Sequence, residues 1–250
     1  MLMNWLSRRL AAYLSKQIEC HSVRTSTWEA LQASIKPGDV ILVEGDTRIS
    51  TAIKYLTQST WSHAALYLGP NTDLGVAENG EPHVLVEADL EDGIRSLPLS
   101  FYRHFHTRIC RPIGLSSEDI GTLVDYSKSR LGHLYDLKNV WDLARYLCPT
   151  PPVPTRYRRS MLALGSGDPT RAICSTFIAL GFQSIRYPIL PERLADSDDD
   201  PDSDAQRQEY FRIRHHSLFT PRDFDASPYF DIIKPTLEQG FDYRQIQWAE

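Results

Sequence analysis

The sequence predicts an α+β domain: a small, mainly antiparallel sheet or half-barrel packed against one apolar, cysteine-bearing helix. Three observations carry this expectation. Short apolar runs bounded by Pro-Gly and Gly-Pro turn signals fill much of residues 35–113. Ser116 and Ser117 then precede an acid-rich helical start, as at a capped helix. A late apolar run from about Ala172 to Phe182 has helical length and contains Cys174.

The elements follow in order. IKPGDVILV, Ile35 to Val43, is a Pro-Gly turn feeding a buried strand, and Ile49 to Gln58 is a short helix. SHAALYLG, Ser62 to Gly69, is a second strand, and HVLVEA, His83 to Ala88, a third after the polar loop Leu74 to Gly80. Arg108 to Ile113 is a fourth. The helix after Ser117 has apolar positions at Ile120, Leu123, Val124 and Leu131. Four prolines between Cys148 and Pro154 stop any helix there, and Asp196 to Asp204 is an acidic, solvated loop without the Gly and Glu of an EF-hand.

The chain has 250 residues, 42% hydrophobic and 24% charged, which is ordinary for a globular domain. Its formal net charge of −5 argues against a general nucleic-acid binder. Four scattered cysteines, Cys20, Cys110, Cys148 and Cys174, show no C-x-x-C spacing, so reduced thiols in the cytoplasm are expected. No stretch approaches the roughly 18 apolar residues of a membrane span, and Arg8 and Arg9 interrupt any secretory apolar core.

Residues 1–30 are expected to be a separate N-terminal amphipathic helix and residues 31–250 the main domain. Leu2, Trp5, Leu6, Leu10, Tyr13, Leu14 and Ile18 form one apolar stripe opposite Asn4, Ser7, Arg8, Ser15 and Lys16. Packing on the domain is the ordinary use of such a stripe; peripheral membrane contact through residues 1–19 is the alternative.

No G-x-S-x-G elbow, P-loop, G-x-G-x-x-G or H-E-x-x-H motif occurs. His104 and His106 alternate without a third ligand near them, and the adjacent His215 and His216 point apart on any regular element. No metal or cofactor is therefore expected. What remains is a thiol, an imidazole and an acid. Cys174 near a helix N-terminus would gain thiolate character, although taken alone it reads more readily as a buried core cysteine. A helix starting at Pro169 would carry Cys174 beyond the first turn, so the site requires a start near Cys174 itself. His63 opens a strand and shares a face with Ala65 and Tyr67. Glu87 closes the apolar run VLVEA, placed to fix the imidazole's tautomer.

Taken together, PGDVILV (Pro37 to Val43), TWSHAALYLG (Thr60 to Gly69), VLVEA (Val84 to Ala88), GHLYD (Gly132 to Asp136) and ICSTFIA (Ile173 to Ala179) resemble the permuted papain-like amidases. These are YiiX-like relatives of the NlpC-type cell-wall peptidases, in which the strands come first and the cysteine helix last. TPRDFDASPYFDIIKP, Thr220 to Pro235, also resembles their C-terminal stretch. The resemblance implies Cys174 as nucleophile, His63 as base and Glu87 as orienting residue, with Tyr135 and Asp136 supporting them. Tyr67, on the His63 face, is a further supporting candidate.

The resemblance further implies cleavage of an amide in a peptide or cell-wall fragment through a thioester. The alternatives are a lipid acyl hydrolase or acyltransferase at a membrane surface, and a non-catalytic binding module. The insert at 144–170 and the acidic loop at 196–204 have no counterpart in the family pattern.

Overall fold

In the computed structural model the described residues are 13, 16–18, 25–89, 92–134, 173–193, 211–212 and 215–245. Helix α1 (Trp28–Ser34) starts at Thr27, whose hydroxyl accepts the Ala30 N–H. The Pro37-Gly38 turn then delivers β1 (Val40–Glu44), in which Val40, Ile41, Leu42 and Val43 are all buried. Helix α2 (Arg48–Thr57), capped by Thr47, leads to β2 (His63–Tyr67), followed by β3 (His83–Asp89) and β4 (Gly93–Pro98). A 3-10 turn at Leu99–Tyr102 precedes β5 (His106–Pro112), and α3 (Ser117–Arg130) opens on a full capping box between Ser116 and Asp119.

Helix α4 (Ile173–Ser184) carries the cysteine, and the two-residue strands β6 (Glu192–Arg193) and β7 (Phe211–Arg212) pair with each other. The chain then forms α5 (Pro221–Asp225), β8 (Phe230–Ile233) and α6 (Pro235–Glu238). The main sheet has six strands in the order β4-β3-β2-β1-β5-β8, and every neighbouring pair is antiparallel. The fold is the α+β arrangement expected, a mainly antiparallel sheet with the cysteine helix packed on it through β2 and β3.

Strand alternation splits the core into two layers. Val40, Leu42, Ala64, Leu66, Val86 and Ala88 face one side, where Phe177, Ile178 and Phe182 of α4 and Phe224 and Phe230 pack on them. Ile41, Val43, Ala65, Leu85 and Ile109 face the other, covered by Leu31 of α1 and by Leu99 and Tyr102. A buried ion pair ties this second layer together. Arg111 grips Asp39 through Nε (2.9 Å) and Nη2 (2.8 Å) and donates to the Ser34 carbonyl, fixing the end of α1 to the sheet.

Seven elements were not anticipated from the sequence: α1, β4, β6, β7, α5, β8 and α6. Of these, β4 and β8 are the main sheet's outer edges. An edge strand buries less, and GIRSLP and FDII carry correspondingly weak apolar patterns. The insert at 144–170, the acidic loop at 196–204, Tyr135, Asp136, and most of the N-terminal helix lie outside the described residues. Among the described residues no helix is long and apolar enough to cross a membrane.

Candidate active site

His63 is the first residue of β2 and lies on the second-layer side with Ala65 and Tyr67, as alternation requires. The β2–β3 ladder consists of Leu66 opposite Val86 and Tyr67 opposite Leu85. Continued in that register, Glu87 falls across from Ala65, and His63 becomes its diagonal neighbour on the same face. The side chains meet: His63 Nε2 lies 2.7 Å from Glu87 Oε2. Nε2–H donates to the carboxylate, so Nδ1 is the ring nitrogen left for a second partner.

That partner is Cys174. It is the second residue of α4 as described, from Ile173. Coming from the opposite layer, it adjoins His63 at the end of β2, and both the imidazole and the Ala64 amide favour its charged form. Even-numbered amides of β2 point toward β3, but the ladder with β3 ends at Leu66–Val86. The Ala64 amide is thereby released from the sheet and given to the thiol.

The acid is held on all sides. Arg95 stands directly opposite Glu87 in the β3–β4 ladder and reaches Oε1 through Nε (2.9 Å) and Nη2 (2.8 Å). Tyr102 donates its hydroxyl to Oε2, the oxygen that also accepts from His63. Arg95 is anchored in turn by Asp89 (3.5 Å) and by a short contact to Asp92. In their charged forms the four groups alternate in sign across the site: Cys174, His63, Glu87, Arg95.

The electrostatics follow from this row. Glu87 is 1% exposed, and burial alone would raise its pKa. The charges of His63 and Arg95 and the hydrogen bonds from His63 and Tyr102 outweigh burial and hold it at about 2. Burial likewise opposes charge on His63, but the adjoining thiolate and Glu87 raise its pKa well above the usual imidazole value. Cys174, 4% exposed, would be pushed up by burial. The His63 charge and hydrogen bond, with the Ala64 and Ser175 contacts, instead bring it below the ordinary thiol range. Tyr102 is driven well above its normal value by burial and Glu87, so it remains a donor. Cys110 is the contrast: buried in the sheet with Asp225 near it, its thiol is pushed up strongly.

Of the residues singled out from sequence, the fold brings together Cys174, His63 and Glu87. Tyr67 lies at the far end of β2, about 13 Å along the strand from His63, where burial and then the Asp39 charge raise its pKa. The GHLYD motif is described as far as Leu134. Its Gly132 N–H donates to the Ile94 carbonyl (2.8 Å), and its His133 carbonyl accepts the Ile94 N–H (3.0 Å), so it docks along β4. His106 hydrogen-bonds Glu44 at 3.2 Å, and among the described residues no group of three or more His, Cys, Asp or Glu could hold a metal. Arg95, Tyr102 and the Ala64 amide were missed from sequence. Arg95 sits on the unrecognised edge strand, and a backbone amide leaves no mark in a residue pattern.

The strands precede the cysteine helix, the order that the resemblance to the permuted papain-like amidases implies. Residues 34–151 match the model of the permuted papain-like amidase enzymes, the YaeF/YiiX, C92 family, the family that the sequence motifs resemble. The matched stretch holds His63, Glu87, Arg95 and Tyr102, and Cys174 lies beyond it. Among solved structures, the crystal structure of the metalloprotein YiiX from Escherichia coli O157:H7 aligns with a TM-score of 0.45. It is 16% identical, over 80% of this chain and 96% of that one. No match is found among curated proteins.

Proposed function

We propose that this protein is a cysteine hydrolase of the amidase type, with Cys174 as nucleophile, His63 as acid and base, and Glu87 as the residue that orients the imidazole. The carrying observation is the row Cys174–His63–Glu87, in which His63 Nε2 stands 2.7 Å from the Glu87 carboxylate and the imidazole beside the buried thiol brings it below the ordinary thiol range. The family match over residues 34–151 supports the amide as the bond cleaved.

In this reading the Cys174 thiolate adds to the carbonyl carbon, and the developing oxyanion is received by first-turn amides of α4, which have no carbonyl partner within the helix. Nδ1–H of His63 passes its proton to the leaving nitrogen as the C–N bond breaks, leaving a thioester. His63 next takes a proton from water, hydroxide adds, and the C–S bond breaks to release the acid and restore the thiolate–imidazolium pair. Glu87 keeps the ring oriented throughout and stabilises its charge.

A peptide or cell-wall fragment is the substrate class this reading favours. A lipid acyl group has no observation in its favour among the described residues. A non-catalytic module is disfavoured because a thiolate and an imidazolium held together under a protein surface serve no packing need. The test is hydrolysis of a panel of peptide amides and cell-wall stem peptides by the wild type and Cys174→Ala. Turnover that survives in the variant refutes the assignment.

A further inference from the structure

We propose that Arg95 and Tyr102 are positioning residues of the thiol–imidazole pair, acting through Glu87 to hold its Oε2 on the His63 Nε2–H. The proposal rests on the cysteine-hydrolase reading. An ionised carboxylate offers roughly four lone-pair sites. Glu87 takes three hydrogen bonds and an ion-pair contact: Arg95 Nε donates to Oε1, His63 Nε2 and the Tyr102 O–H donate to Oε2, and Arg95 Nη2 stands 2.8 Å from Oε1. The carboxylate therefore can neither turn nor shed one partner for another without leaving a buried acceptor unmet.

The ionisable groups facing Glu87 come from three elements: His63 from β2, Arg95 from β4 and Tyr102 from the 3-10 turn. Cys174, from α4, faces His63 and Tyr102. Without the guanidinium, a carboxylate this buried has only the imidazolium as counter-charge and competes with it for a proton. The imidazolium is then less available to stabilise the thiolate. The Arg95 guanidinium meets Glu87, Asp89 and Asp92, and its route to the thiol–imidazole pair runs through Glu87. Asp89 and Asp92 keep the guanidinium turned toward that acid.

The experiment is iodoacetamide alkylation of Cys174, followed by mass spectrometry from pH 4 to 9, on the full chain. Wild type, Arg95→Met, Arg95→Lys and Tyr102→Phe are compared. Arg95→Met is expected to move the half-maximal pH up by about one unit, about a tenfold lower rate below the midpoint. Arg95→Lys, which keeps the charge, is expected to recover most of the wild-type profile. A residue needed only for packing would not show that recovery. Tyr102→Phe keeps the buried ring and is expected to shift the profile the same way by less. If Arg95→Met does not fold, Tyr102→Phe decides. Folded variants whose profiles superimpose on a reactive wild type overturn this proposal and leave the hydrolase reading standing. An unreactive wild-type Cys174 removes both.

Discussion

His63 Nε2 and Glu87 Oε2 stand 2.7 Å apart across the divergence of β2 and β3, diagonal neighbours on one face of the sheet. The acid is 1% exposed and the ring 24% exposed, so the pair is sealed on the carboxylate side and open on the imidazole side. That asymmetry suits a base that must meet solvent and substrate while its orienting partner stays dry.

Glu87→Gln keeps the shape of the side chain and removes its charge. The amide can present an N–H toward either His63 or Arg95, and neither is an acceptor when protonated. Turnover is expected to fall about 10²–10⁴-fold, and stability by about 2–4 kcal/mol because Arg95 loses its counter-charge. Steady-state kinetics and urea unfolding measure the two effects. A Glu87→Gln enzyme with wild-type turnover would remove Glu87 from the site.

The thiols of Cys174 and Cys110 are both buried but differ in what adjoins them. Cys174 has an imidazolium and a free strand amide, and Cys110 has apolar neighbours and an acid. At pH 6, iodoacetamide is expected to modify Cys174 at least about tenfold faster than Cys110. His63→Ala should abolish the difference. Cys110→Ala should leave alkylation of Cys174 unchanged and lower stability by about 1–2 kcal/mol through the small cavity it opens. Peptide mapping after brief labelling distinguishes the sites.

The legible part of this protein is its centre. β1, β2, β3 and β5 are visible in sequence because both faces of VILV, HAALY and HVLVEA are covered and their apolar runs are nearly unbroken. β4 and β8 are edges and lack that signal. Cys174, His63 and Glu87, which the fold brings together, stood out in sequence beside apolar runs: His63 opens β2, Glu87 follows the apolar start of β3, and Cys174 precedes an apolar helical stretch. Arg95 and Tyr102 did not, since a partner two strands away follows from register, and register is set by tertiary pairing.

The charge row also fixes a pH response. The folded Cys174 pKa is lowered, so the thiolate persists as pH falls below the ordinary thiol range and is lost only when that lowered value is crossed. The folded His63 pKa is raised, so the imidazolium persists to higher pH than a free imidazole and is lost above that raised value. Turnover, which needs the ring proton, is expected to form a plateau between these limits, and alkylation to rise through the lower one and stay high. Glu87 adds a stability term of opposite direction to that of His63. Its pKa is about 2 folded against 4.5 for the free group, so its contribution is complete above about 4.5 and lost as pH falls toward 2. Thermal unfolding should show the wild type losing stability across that interval, and Glu87→Gln losing markedly less.

Gly93 controls how the Gly132–Leu134 segment meets the edge of the sheet. Its φ is +73°, and a Cβ there would lie 2.3 Å from the His133 carbonyl oxygen. Gly93→Ala therefore carries two penalties: about 1–2 kcal/mol for an L residue in the left-handed region, and displacement of the segment from the Ile94 hydrogen bonds. Gly80 separates them, because its φ is +83° but nothing lies within 4 Å of its Cβ position. Gly80→Ala should show only the backbone penalty, and Gly93→Ala about 1–2 kcal/mol more by urea unfolding. Because β4 also carries Arg95 two residues on, Gly93→Ala is expected to lower turnover as well, and Gly80→Ala to leave it unchanged. Equal stability losses in the two variants would mean that the His133 contact contributes nothing, and that β4 is held by β3 alone.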